Sequence, residues 1–322
     1  MQVTYNGEHS LLIGDFIEEI DLYGRTIETF VESYFDNVWD MYGLIPTSPP
    51  VIDPPDVQEN TVEVPGSNGV VDLSDILLGH PLYYNRSGSL EFYVDHTHPK
   101  YTTWENAYDK MLNDFHGANK KVILTDAKGY YYEGRLKVNQ WNSDKLCSKI
   151  TFDYNFAPYK RMLFRTIEDW LWDPFDFVNG TIPDKQGWYI RTVNQDTPSQ
   201  DIKDTYTVLD RIKAGTMPIV PDILLKFDGT VPDLDTLQTK PYVLYATGES
   251  ETDVNNKLES GNGYASYMRT SEHRSGALPA YFTKHDPIIT IGAPNRVYWG
   301  IRLVNPLAVP ITMSIDFRQG RL

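Results

Sequence analysis

The sequence predicts a mainly β protein with one well-specified α-helix in its first half, and three observations lead there. Aromatic residues make up 13% of the 322 residues, 22 of them Tyr, alongside 22 Gly and 21 Pro. That composition favours many short strands and turns over long helices. Apolar residues alternate with polar ones in run after run, the period of half-buried strands, and a single stretch carries a clear helical period.

Taken in order, Val3–Tyr5 and Leu11–Ile13 flank Asn6-Gly7, a strong turn dipeptide, so residues 3–13 open as a hairpin that Gly14 ends. The acidic stretch from Phe16 to Tyr42 fits a helical face in places and a strand in others. Leu44 to Asp56 carries five prolines, which remove backbone donors and enforce extended chain. It reads as a solvated surface loop or as an arm reaching a neighbouring subunit, and not as sheet interior. From Thr61 to Val94 the chain reads as strand, turn, short apolar connection, turn, strand. Val62 and Val64 alternate as in a half-buried strand; Pro65-Gly66 and Asn68-Gly69 supply turns, because Gly and Asn tolerate a positive φ. Ile76, Leu77 and Leu78 form an apolar anchor. Tyr83 and Tyr84, a turn at Ser87-Gly88, and the alternating Leu90, Phe92 and Val94 complete the stretch.

The helix follows. Thr102 and Glu105 make a capping-box pattern; Trp104, Tyr108, Met111, Leu112 and Phe115 recur at three- and four-residue steps, and Gly117 stands at the C-terminal end. Val122 to Thr125, a turn at Asp126 to Gly129, and Tyr130 to Val138 then form a hairpin, with Lys149 to Phe156 as a further strand. Ala157 to Lys160 closes a first domain, residues 1–160; residues 161–322 form a second. In the second half, Gly187–Val193, Tyr206–Leu209, Pro221–Phe227, Tyr242–Ala246, Arg296–Val304 and Ile311–Phe317 read as short strands. Asp228 to Lys240 and Thr247 to Gly263 read as loops. The clean alternation of Ile311, Met313, Ile315 and Phe317 suits a sandwich strand.

Several segments in order carry a family resemblance: VEVPGSNGVVDLSD…LGHPLYYNRSGSLEFYV between Val62 and Val94, the helix ending Phe115-His116-Gly117, KKVILTDAKGYYYEGRLKV from Lys120, and ITFDYNFAPYK from Ile150. Together they resemble the distal tail (Dit) proteins of long-tailed phages, the siphophage tail-component family, closely over the first half and in outline over the second. The resemblance implies an N-terminal β-sandwich belt domain with one packed helix and a C-terminal galectin-like or carbohydrate-module-like β-sandwich. It implies a structural role: a hexameric ring at the distal end of the tail tube, joining the tube to the tail tip or baseplate. The implied partners are the tail tube protein, the tail hub or tail-associated lysin, and the receptor-binding proteins. The implied location is the virion tail tip, after synthesis in the host bacterial cytoplasm. Family members run more directly from their first strands to the Pro-Gly turn, so about residues 24–60 read as an acidic, Pro-rich insertion. In this reading Gly66, Gly69, Ile76, Leu77 and Leu78 are the assembly scaffold.

Charge and residue inventory exclude other classes. Net charge is −15, and residues 1–59 alone carry 12 Asp/Glu against one Arg. Such a surface repels phosphate, which argues against sequence-specific nucleic-acid binding. Within a ring, acid facing the lumen would keep passing DNA from sticking. One cysteine, Cys147, allows no intrachain disulfide and fits a small semi-buried strand residue. Neither a secretion signal nor an apolar run long enough for a membrane span is evident. Asp95-His96-Thr97-His98 holds metal-ligand residue types, and His96 and His98 would share a strand face, but no third ligand is evident. Ser271-Glu272-His273 has the ingredients of a hydrolase without its geometry, and phosphate-binding glycine fingerprints are absent. No enzyme and no cofactor is expected. Trp170 and Trp172 offer a stacking platform for sugar rings, so the alternative function is a carbohydrate-binding module or lectin contacting host-surface glycans through the C-terminal sandwich.

Overall fold

The computed structural model describes residues 8–20, 25–66, 68–74, 81–95, 98, 104–143, 148–165, 189–192, 206–209, 217–227, 242–261, 264–267, 273–274, 280–283, 298–304 and 311–322. The architecture is mainly β with large antiparallel sheets. The chain divides into two compact units: residues 1–17, 28–163 and 322 form the first, and residues 18–27 and 164–321 the second.

In chain order the elements up to residue 163 are β1 (Leu11–Gly14), β2 (Ile17–Ile20), β3 (Thr26–Thr29), β4 (Phe35–Asn37), α1 (Val38–Tyr42), β5 (Leu44–Pro46), β6 (Thr61–Glu63), β7 (Val70–Asp72), β8 (Arg86–Val94), α2 (Trp104–Asp114), β9 (Asn119–Leu124), β10 (Tyr130–Ser143), β11 (Ser148–Phe156) and β12 (Lys160–Met162); they belong to the first unit except that residues 18–27, most of β2 and the start of its partner β3, group with the second. The main sheet runs β4-β1-β9-β10-β11-β8-β5, with β12 paired to the start of β10. At its centre, β11 buries Ile150, Phe152, Tyr154 and Phe156, every second residue, with Ile150 opposite Phe92 and Phe152 opposite Leu90 of β8, where Val94 is buried in the same alternation. Side chains on one strand alternate between faces, so this period places a single apolar layer on one side of the sheet. Helix α2 covers that layer. Its buried stripe is Ala107 and Met111, continued by Phe115 just past its end, with Tyr108 and Leu112 half-buried against it. Phe115 meets Phe152 edge-on at 5.2 Å between ring centres and Tyr42 at 5.7 Å.

Several expectations change here. The Asn6-Gly7 turn lies outside the described residues; β1 pairs with β9 and β4. The ambiguous stretch after Phe16 resolves into β2, β3, a single 3-10 turn at Glu32–Tyr34, β4 and α1. The Pro-rich segment is not a free loop: Leu44 and Ile52 are buried, and β5 forms one edge of the sheet while β4 forms the other. Ser87-Gly88 is strand, not turn, because both residues pair in register with β11.

The second unit holds β13 (Tyr189–Thr192), β14 (Tyr206–Leu209), β15 (Asp222–Phe227), β16 (Tyr242–Gly248), α3 (Glu251–Glu259), β17 (Tyr264–Tyr267), β18 (His273–Arg274), β19 (Ala280–Thr283), β20 (Tyr298–Val304) and β21 (Ile311–Asp316). They form two antiparallel sheets, β13-β21-β15-β19-β18 and β14-β20-β16-β17. Helix α3 lies where a loop is expected from the sequence. Its start is capped by Ser250, whose Oγ accepts from the Asp253 N–H at 3.2 Å, and Val254 and Leu258 are buried against Leu244 and Ala246.

Candidate functional site

The stretch Thr61 to Val94 does not form one continuous sheet element. Its second strand, β8, lies inside the main sheet, whereas β6 and β7 pair only with each other among the described residues. They meet in the register Thr61↔Asp72, Val62↔Val71 and Glu63↔Val70. The ladder continues toward the sheet. Leu73 N–H donates to the Asn60 carbonyl, Gln58 N–H to the Leu82 carbonyl and Tyr84 N–H to the Asp56 carbonyl, each at 2.8 Å. Val57 bridges Tyr83. Among the described residues, 56–63 thus pair with 70–73 and 82–84 as a two-stranded ribbon.

The ribbon's apolar side chains are exposed. Val57, Val62, Val64, Val70, Val71, Leu82 and Tyr84 stand between 41% and 56% exposed. The half-buried strand expected for Val62 and Val64 is therefore not found within this chain. A two-stranded ribbon by itself is marginal in water. At its tip Gly66 and Gly69 adopt φ of +84° and +105°, the region that glycine enters without strain. Nothing lies within 4 Å of where a Cβ would stand at either position, so their role is backbone shape and not close packing.

The ribbon's root is more tightly built than its tip. Arg86, 5% exposed, sits opposite Phe156 on β11; its Nε donates to the Pro158 carbonyl at 2.7 Å and its Nη1 to the Asp53 carbonyl at 2.8 Å. The guanidinium lies over the Tyr132 ring, 5.6 Å from its centre. Burial pushes the Arg86 pKa down, and burial likewise raises those of Tyr132 and Tyr154. The Tyr154 hydroxyl accepts from the Asp53 N–H at 3.0 Å and donates to Asp53 Oδ2 at 3.3 Å. It reaches across Gly88, where any Cβ would collide with Tyr154.

Two other polar clusters are built from different residues. Near β1 and β4, a groove is lined by Glu8, His9, Glu32, Asp40, Asp126 and Lys128 among others; Asp126 accepts from His9 Nδ1 at 2.9 Å, and this hydrogen bond and charge raise the His9 pKa. In the second unit, Arg25 donates to Asp222 at 2.8 Å and to Asp316 at 2.7 Å, while Arg165 Nη2 approaches Asp316 at 2.6 Å. Asp316 is 1% exposed, and its Oδ1 has no hydrogen-bond partner among the described residues.

Of the other residues singled out from the sequence, Ile76, Leu77, Leu78, His96, Cys147, Trp170 and Trp172 lie outside the described residues. His98 is buried, its ring edge-on to Trp39 at 4.9 Å. Among the described residues no group of three or more His, Cys, Asp or Glu side chains is arranged to hold a metal. No helix is long and apolar enough to cross a membrane. Arg86 was missed from the sequence, although its position is legible: it shares the alternation of Leu90, Phe92 and Val94 and so faces inward.

No family model and no curated protein matches the chain. Solved structures do. The SPP1 Dit protein (gp 19.1), described as a paradigm of the hub adsorption apparatus in phages infecting Gram-positive bacteria, aligns over 97% of this chain and 99% of its own with a TM-score of 0.50. The chain has the fold of a Dit protein. Sequence identity is 10%, so the likeness is one of architecture, and it extends over the second unit as well as the first.

Proposed function

We propose that this chain is a structural, non-enzymatic phage tail protein whose first unit assembles with further copies into a hexameric ring at the distal end of the tail tube. The ring would join the tube to the hub and receptor-binding proteins. The observation that carries the reading is the β6–β7 ribbon, which holds out Val62, Val70 and Val71 half-exposed and pairs with no other strand among the described residues. Covering each such valine contributes about 1 kcal/mol, so several per protomer, repeated round a ring, outweigh the marginal stability of a lone ribbon. The Dit-like fold supports the same reading, since the SPP1 protein belongs to an adsorption apparatus.

Negative-stain imaging and light scattering of the purified chain test it. Closed rings of uniform mass are expected, alone or on addition of the neighbouring tail proteins. A chain that stays monomeric under both conditions contradicts the proposal.

A further inference from the structure

We infer that Arg86 is a positioning residue that fixes the direction in which the β6–β7 ribbon leaves the sheet, with the Tyr154 hydroxyl as its second anchor. The inference rests on the assembly role proposed above. The chain leaves the sheet past Asp53 and returns to it at Arg86. One guanidinium ties three segments at that point: it belongs to the returning strand, donates to the Asp53 carbonyl on the outgoing one, and donates to the Pro158 carbonyl just beyond β11. Tyr154 grips the other side of the same residue, through the Asp53 N–H and carboxylate. Asp53 is thus held at both its amide and its carbonyl, and three residues later the Asp56 carbonyl begins the ribbon ladder with Tyr84.

The chemistry at this position is costly for a purely structural role. Arg86 is buried without a carboxylate at ion-pair distance among the described residues, so two backbone carbonyls and the Tyr132 face offset the cost of burying its charge. Leu90, Phe92 and Val94 fill the same inward register of the same strand with hydrocarbon. A hydrocarbon at position 86 could not hold two carbonyls from separate segments in a fixed fork. Gly88 belongs to the same arrangement, because its missing Cβ is what lets the Tyr154 hydroxyl reach Asp53. A ribbon fixed at its root meets its partner already ordered, and a loose one loses affinity when docking must order it.

The test uses the full chain with Arg86→Met, Arg86→Lys and Tyr154→Phe. Hydrogen exchange is read at the root amides of Gln58 and Tyr84 and, as an internal control, along β11; self-association is read by sedimentation velocity. Arg86→Met is expected to speed root exchange roughly tenfold or more with β11 still protected, and to weaken self-association roughly 10- to 100-fold through lost preorganisation. Arg86→Lys keeps the charge but not the fork and is expected to do the same to a smaller degree. Unchanged root exchange in Arg86→Met overturns the inference, as does a loosened root with undiminished self-association. If Arg86→Met unfolds β11 as well, Tyr154→Phe decides: faster root exchange with weaker association supports the inference, and wild-type behaviour in both overturns it. A wild-type chain that never self-associates, in which Arg86→Met still loosens the root alone, contradicts the ring and leaves the pinning of the root supported.

Discussion

The main sheet and the β6–β7 ribbon are written in the same alphabet and behave in opposite ways. Val62 and Val64 alternate with polar neighbours much as Leu90, Phe92 and Val94 do, and Val71 stands opposite Val62. In β8 that alternation buries three side chains under α2, and in the ribbon it leaves all three valines at 44% or 45% exposure. Alternation specifies that one face of a strand is apolar. It does not specify what covers that face, and among the described residues the ribbon valines stay half-exposed.

The contrast predicts that substitutions at equivalent inward positions divide cleanly between stability and assembly. Phe152→Ala removes a fully buried ring that touches both Phe92 at 4.9 Å and Phe115, and should destabilise the first unit by about 3–5 kcal/mol in chemical denaturation. Arg25→Met leaves the buried Asp316 with Arg165 alone and should lower the stability of the second unit by about 3 kcal/mol, read as an earlier unfolding transition in that unit's peptides. Gly69→Val forces a branched residue to φ near +105° and should cost about 1–2 kcal/mol locally, seen as faster exchange in the ribbon while α2 and β11 keep their protection. The smallest change is Ser250→Ala, which removes the cap of α3 and should cost about 1 kcal/mol, with fraying at the Asp253 amide. A ribbon substitution that unfolded the sheet, or a core one that spared stability and abolished assembly, would break the division.

Much of the fold was legible because short-range pattern decides it. The α2 stripe through Met111 and Phe115 and the six strands expected in the second unit each correspond to an observed element, since period and turn residues are local properties. Helix α3 was missed because its Gly, Ser and Asn flanks read as loop; the cap at Ser250 and the Val254–Leu258 spacing were the signals that could have found it. The Arg25 cluster could not be found this way. Its ion pairs join residues 197 and 291 positions apart, and nothing in a local window links a lone arginine in an acidic stretch to carboxylates near the other end of the chain. At the candidate site the turn glycines were legible and the exposure was not, because the pattern of a covered strand is the same whether the cover lies in the same chain or in another.

The most direct measurement compares the wild-type chain with Val62→Asp/Val71→Asp by sedimentation velocity and negative stain, with thermal unfolding alongside. The account predicts that the double variant folds with an unchanged unfolding transition and no longer forms rings, because charge replaces apolar side chains that touch nothing within their own protomer's core. Rings that form as readily as in the wild type would contradict it.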